Sequence, residues 1–118
     1  MKTFDLEGIS EDATNPYIIE HPEDQFVVPK EPAKLNCKAE GTPAPVITWY
    51  RNGQQVVTST ADGSSHRMLL PNGQLFFLRV VHNKNNRSDV GVYYCNATNP
   101  ETHFSVISRN ATLDIAGN

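Results

Sequence analysis

Three things are scarce in this sequence, and each scarcity excludes something. No apolar run approaches the roughly 18–20 residues that a membrane-spanning helix needs. There are only 2 cysteines, so a structural zinc site made wholly of thiolates is excluded and either one disulfide or two free thiols remain. Positive charge is also short. Lys and Arg number 10 against 13 Asp and Glu, for a net charge of −3, which argues against bulk affinity for nucleic acid. The opening residues, Lys2-Thr3-Phe4-Asp5-Leu6-Glu7, lack the apolar stretch of a secretory signal. An extracellular protein beginning this way is expected to be a mature fragment. Catalytic patterns are missing as well. His21, His66, His82 and His103 do not have metal-ligand spacing, no Gly-rich phosphate loop occurs, and Glu11-Asp12 and Glu23-Asp24 are solvated pairs rather than a calcium loop. No enzyme, metal or cofactor is therefore expected.

What is present is strand after short strand. The 118 residues suit one domain, and a hydrophobic content of 38% supports a core. No 3.6-residue apolar period, internal repeat or low-complexity tract occurs. Residues 1–15 read as a flexible, solvated N-terminal tail and 16–116 as a single domain. Within it, Ala33, Leu35, Cys37 and Ala39 alternate with Lys34, Asn36, Lys38 and Glu40, the mark of a half-buried strand. Val46 to Tyr50 is closed by Asn52-Gly53, a strong hairpin signal. Further strands are expected over His66–Leu70, Leu75–Val81, Gly91–Ala97 and Phe104–Ile115, with polar loops over 58–65 and His82–Ser88.

Cysteine and tryptophan placement narrows the architecture. Cys37 and Cys95 lie 58 residues apart in apolar alternating strands, with Trp49 between them. Asp89-Val90-Gly91-Val92-Tyr93-Tyr94-Cys95 sets Tyr93 two residues before the second cysteine, at the place of a tyrosine corner. This is an immunoglobulin signature. The expected fold is all-β, an immunoglobulin-like (I-set) sandwich of two antiparallel sheets with one inter-sheet disulfide. A Cys37–Cys95 bond with Trp49 packed on it would contribute roughly 4 kcal/mol by loop entropy. The alternative is two buried free thiols in a cytosolic sandwich. Arg67, entering strand D, is expected to pair with Asp89 as a structural contact rather than to bind a ligand.

Three Asn-X-Ser/Thr sequons, at Asn86, Asn96 and Asn110, favour secretion. Cys95 points inward, so Asn96 points outward. Ala111, Leu113 and Ile115 form an inward set, so Asn110 also points outward. Glycans there would cover the C-F-G sheet and leave a protein partner the opposite A-B-E-D sheet. On that sheet, Leu75 and Phe77 of strand E face the core, Val80 follows after a local irregularity, and Phe76 and Leu78 face outward. Neighbouring strand B presents Lys34, Asn36 and Lys38. Two large apolar side chains among polar ones suit a protein-binding patch. Ordinary scattered surface apolars, or cover by the tail or another domain, would look the same. Arg79, Lys84 and Arg87, with His82 nearby, form a basic cluster that suits a sulfated polysaccharide or is simply solvated.

Four stretches carry a narrower likeness. Ile18-Ile19-Glu20-His21-Pro22, the run from Glu31 to Gly41, Ser65-His66-Arg67-Met68-Leu69-Leu70-Pro71 and the run from Gly73 to Arg79 closely resemble the first immunoglobulin domain of roundabout receptors. That resemblance implies the extracellular part of a plasma-membrane receptor for axon guidance. It implies docking to the second leucine-rich-repeat domain of secreted Slit, supported by heparan sulfate. The residues matching the family's Slit contacts are Glu20, Asn36, Lys38, Phe76 and Leu78. Those matching its heparan positions are Arg79 and Lys84, while Asn85 stands where some members carry a basic residue. The alternative reading is a homophilic or structural adhesion module. Neither reading calls for nucleic acid, and both place the membrane only in the parent receptor.

Overall fold

The computed structural model describes residues 12–82 and 88–116. Among these residues there are eleven short strands and no helix. In chain order they are β1 (Tyr17–Glu20), β2 (Gln25–Val27), β3 (Ala33–Leu35), β4 (Lys38–Glu40), β5 (Val46–Arg51), β6 (Gln54–Gln55), β7 (Arg67–Leu69), β8 (Leu75–Phe77), β9 (Gly91–Thr98), β10 (Ser105–Ile107) and β11 (Ala111–Ile115). One layer runs β2-β11-β9-β5-β6, with β10 also paired to β9. The other is built from β1-β4 and β3-β8-β7, where β3 and β4 are successive parts of one strand. Alternation in sequence becomes alternation in space. In β9, Tyr93, Cys95 and Ala97 are buried, while Tyr94, Asn96 and Thr98 lie on the outer face. The inner faces meet in a core of Leu35, Cys37, Trp49, Leu75, Phe77, Val80, Tyr93, Cys95, Leu113 and their neighbours.

The disulfide joins Cys37 to Cys95 with Cα atoms 6.4 Å apart, and no described cysteine is free. Trp49 is 2% exposed, and its indole Nε1 donates to the Gly73 carbonyl at 2.9 Å. A buried donor is thereby satisfied across the sandwich. Phe77 meets Tyr93 edge-to-face at 5.8 Å, an arrangement that aromatic quadrupoles favour. The Asn52-Gly53 hairpin forms as expected. Both residues have positive φ, 50° and 85°, the backbone that two-residue hairpins with a right-handed twist require.

Three expected strands are interrupted, and the physical causes differ. The strand expected to run through Ala33–Ala39 breaks at Asn36–Cys37. There its partner changes from β8 to β1, and the Gly73 turn passes so close that an added Cβ would lie 2.5 Å from the Cys37 carbonyl oxygen. The strand expected to reach Val81 stops at Phe77. Beyond it, Leu78 N–H bonds to His66 and Val80 N–H to Glu31, so the backbone groups are satisfied outside the β3–β8 ladder. Phe104–Ile115 divides into β10 and β11, which pair with β9 in registers one residue apart. That offset is a bulge. In it Ser108 accepts the Cys95 N–H on its Oγ and donates its own N–H to the Cys95 carbonyl, both at 2.9 Å. One ladder is parallel rather than antiparallel, with β2 beside β11. Within the stretch read as a solvated tail, Thr14 is tied to the domain. It exchanges hydrogen bonds with the Thr42 backbone and accepts one from Asn99 Nδ2, each at 2.8 Å. Residues 1–11 lie outside the described part.

Candidate functional site

The outer face of the β1-β4/β3-β8-β7 layer is assembled by register. Lys34 stands opposite Phe76, and Phe76 opposite Met68. An apolar pair is thus set beside the stem of a lysine, across the strand neighbours that stabilise a sheet. Phe76 is half-buried, because Lys34 and Met68 flank it. Leu78 is 50% exposed just past the end of β8. One row away, Asn36 Oδ1 accepts from Gln74 Nε2 at 2.6 Å, which holds the amide of Asn36 in one orientation. Beyond that, Glu20 pairs in register with Lys38 across β1 and β4, and both are exposed. No ion pair joins them among the described residues.

Of the residues expected to contact a ligand, Glu20, Asn36, Lys38, Phe76 and Leu78 all lie on or beside this one layer. The sequence reading missed four neighbours. Met68 completes the apolar row and Gln74 fixes Asn36. Tyr17 and Glu40 extend the polar end, where the Tyr17 hydroxyl donates to Glu40 Oε1 at 2.8 Å. That bond and the adjacent carboxylate charge hold the Tyr17 pKa above the ordinary tyrosine value. Outward alternation along β7 could have identified Met68. The partners of Asn36 and Tyr17 depend on cross-strand register, which the pattern within one strand does not carry.

The basic cluster is only partly described. Arg79 is exposed, whereas Lys84, Asn86 and Arg87 lie outside the described residues. Arg67 is not part of any open surface. Its Nε donates to Asp89 Oδ1 at 2.7 Å. His66, unassigned from the sequence, joins the same carboxylate, with Nε2 at 2.8 Å from Oδ2 and 3.0 Å from Oδ1. A carboxylate only accepts, so this nitrogen is the donor. Val81 N–H adds a third donor at 2.7 Å, and the Asp89 carbonyl accepts the Tyr93 hydroxyl at 2.6 Å. Asp89 is fully buried, and these contacts tie together the segments that lead into β7, follow β8 and precede β9. Burial drives the Tyr93 pKa well upward.

Two sequon asparagines fall on the opposite layer. Asn110 is exposed at the bulge before β11. Asn96 lies mid-strand in β9, with its Nδ2 donating to Thr98 Oγ1 at 2.9 Å. Among the described residues, no group of three or more His, Cys, Asp or Glu side chains could hold a metal.

Known proteins resemble this chain both in sequence and in shape. The family described as "Immunoglobulin domain" matches residues 15–99. Human Roundabout homolog 1 is 54% identical over 101 residues, which is 86% of this chain and 6% of that protein. Protein sax-3 of Caenorhabditis elegans is 45% identical over 114 residues, 94% of this chain and 9% of that protein. The chain therefore spans only a small fraction of the curated relatives it matches. The crystal structure of a titin M10–obscurin-like 1 Ig mutant complex superposes with a TM-score of 0.70 at 24% identity, covering 87% of this chain and 94% of that one. This last likeness concerns the fold alone. The immunoglobulin domain and the receptors it resembles form a non-enzymatic family, and this chain is not an enzyme. With its disulfide, tyrosine corner and half-identical relatives, the chain belongs to the immunoglobulin domain family and is an immunoglobulin domain of the roundabout type.

Proposed function

We propose that this chain is the ligand-recognition module of a cell-surface axon-guidance receptor. In this reading it binds the leucine-rich-repeat domain of secreted Slit through the β1-β4/β3-β8-β7 face, with heparan sulfate bridging at Arg79, Lys84 and Arg87. The observation that carries it is the Lys34–Phe76–Met68 row beside half-exposed Leu78. An apolar centre rimmed by Glu20, Asn36 and Lys38 has the composition of a binding hot spot within a polar surround. Binding supplies no chemistry. Phe76 and Leu78 lose water, and the rim sets orientation. The roundabout resemblance points to the same residues.

The test is binding of the disulfide-intact chain to immobilised second leucine-rich-repeat domain of Slit, with and without heparan sulfate. Saturable binding strengthened by the polysaccharide is expected. Phe76→Ala should weaken it by about 2 kcal/mol or more, with Trp49 emission unchanged. Normal binding by a folded Phe76→Ala chain would remove this face from the reading. Failure of the wild-type chain to bind, together with concentration-dependent dimers in sedimentation, would favour the adhesion alternative.

A further inference from the structure

We infer that Asn96 carries an N-linked glycan whose first sugar lies over the Tyr50–Tyr94 pair and covers the apolar part of the outer β10-β9-β5 surface. The sequon Asn96-Ala97-Thr98 lies within β9, where Tyr94, Asn96 and Thr98 share the outward side and Cys95 and Ala97 are buried. Thus Tyr94 precedes Asn96 by two residues on the same face, roughly 7 Å along the strand. It is stacked on Tyr50 of β5, with centroids 5.1 Å apart and planes 10° from parallel. On the other flank Asn96 pairs in register with Ile107, which is 62% exposed. Thr98 pairs with Val46, 51% exposed. Asn96, whose own partner on β5 is Thr48, therefore stands close to several apolar side chains that water would otherwise meet, on a sheet face expected to be polar.

A pyranose ring has an apolar C–H side and a rim of hydroxyls. Laid on Tyr94, it hides the first and presents the second. The chemistry of attachment needs only a lipid-linked oligosaccharide and its transferase. The Asn96 amide nitrogen displaces the lipid pyrophosphate at the sugar's anomeric carbon. The C–N bond forms, the C–O bond breaks with its electron pair leaving on the pyrophosphate, and the amide loses one proton to a base of the transferase. Nδ2 keeps one hydrogen, which is all that its bond to Thr98 Oγ1 uses. The inference rests on the chain entering the secretory pathway and not on the ligand proposed above.

The experiment is secretion of the chain from cultured animal cells behind a cleavable signal, then release of glycans by peptide N-glycosidase in ¹⁸O-water. Asn96 should be recovered as ¹⁸O-labelled Asp, and Thr98→Val should abolish that label. Recovery of Asn96 unlabelled from the wild-type chain would overturn the assignment. The stacking is read from the rate of release under native conditions. Tyr94→Thr should speed release at Asn96 several-fold, and the difference should vanish once the chain is denatured. Tyr50→Thr serves as the second variant, with Trp49 emission reporting the fold for both. Unchanged native rates in the folded variants would overturn the packing of the sugar on the pair.

Discussion

Replacing Asp89 should cost this domain more than any other single change at its surface-to-core boundary. The carboxylate is fully buried and accepts from Arg67 Nε, His66 Nε2 and Val81 N–H. In Asp89→Ala all three donors lose their acceptor. A hydrogen bond to a charged group is worth about 1.5–3 kcal/mol. The three do not add, because Arg67 and His66 remain 18% and 19% exposed and can recover some water. Breaking a buried pair by removing one partner costs about 3–5 kcal/mol, so about 4 kcal/mol is expected, a large share of the stability of a domain this size. Asp89→Asn keeps one acceptor but turns an amide N–H₂ toward donors, and about 2 kcal/mol is expected. The assay is urea unfolding of the oxidised protein at pH 7, followed by the single tryptophan, Trp49. The midpoint should fall with little change in slope. Arg67→Gln should cost much less in the Asp89→Ala background than alone, because the two share one interaction. A folded Asp89→Ala protein that loses less than about 1 kcal/mol, or strict additivity in the double variant, would refute the reasoning.

Two further outcomes follow from the core. Gly73 has φ of 96°, and an added Cβ would lie 2.5 Å from the Cys37 carbonyl oxygen. Gly73→Ala should therefore destabilise by about 2 kcal/mol or more, read in the same unfolding assay, with Trp49 emission altered because the Gly73 carbonyl holds its indole. Tyr93 is neutral in the buried state and its pKa is raised by burial. Its contribution is thus fully present below the unfolded tyrosine value, about 10, and is lost as pH rises above it. Stability should fall above about pH 10, phenolate absorbance should show Tyr93 ionising only with unfolding, and Tyr93→Phe should remove that part of the alkaline loss.

Much of the fold was legible because it is written in periods and fixed spacings. Trp49, Tyr93 and Cys95 each lie in a strand whose alternation points them inward, Cys37 sits in the break between β3 and β4, and all four are buried. Asn52-Gly53 marks its hairpin because few residues tolerate two successive positive φ values. Leu75 and Phe77 inward, with Phe76 and Leu78 outward, was likewise readable from a period of two. The interruptions were not. The bulge at Ser108 arises from how β10 and β11 must both meet β9. The break at Cys37 falls where the strand changes partner from β8 to β1.

Amino-acid order alone determined the strand pattern, the pairing-competent cysteines, the absence of a membrane-spanning apolar run and the sequons. These are local properties, set by side-chain chemistry and by the backbone each residue allows. Only the tertiary structure decided that Met68 sits beside Phe76, that Gln74 holds Asn36, that His66 shares Asp89 with Arg67, and that Asn96 stands next to a stacked tyrosine pair. Each of these depends on segments that are separate in the chain. Their contact depends on register and layer, which emerge only when two faces pack together and exclude water.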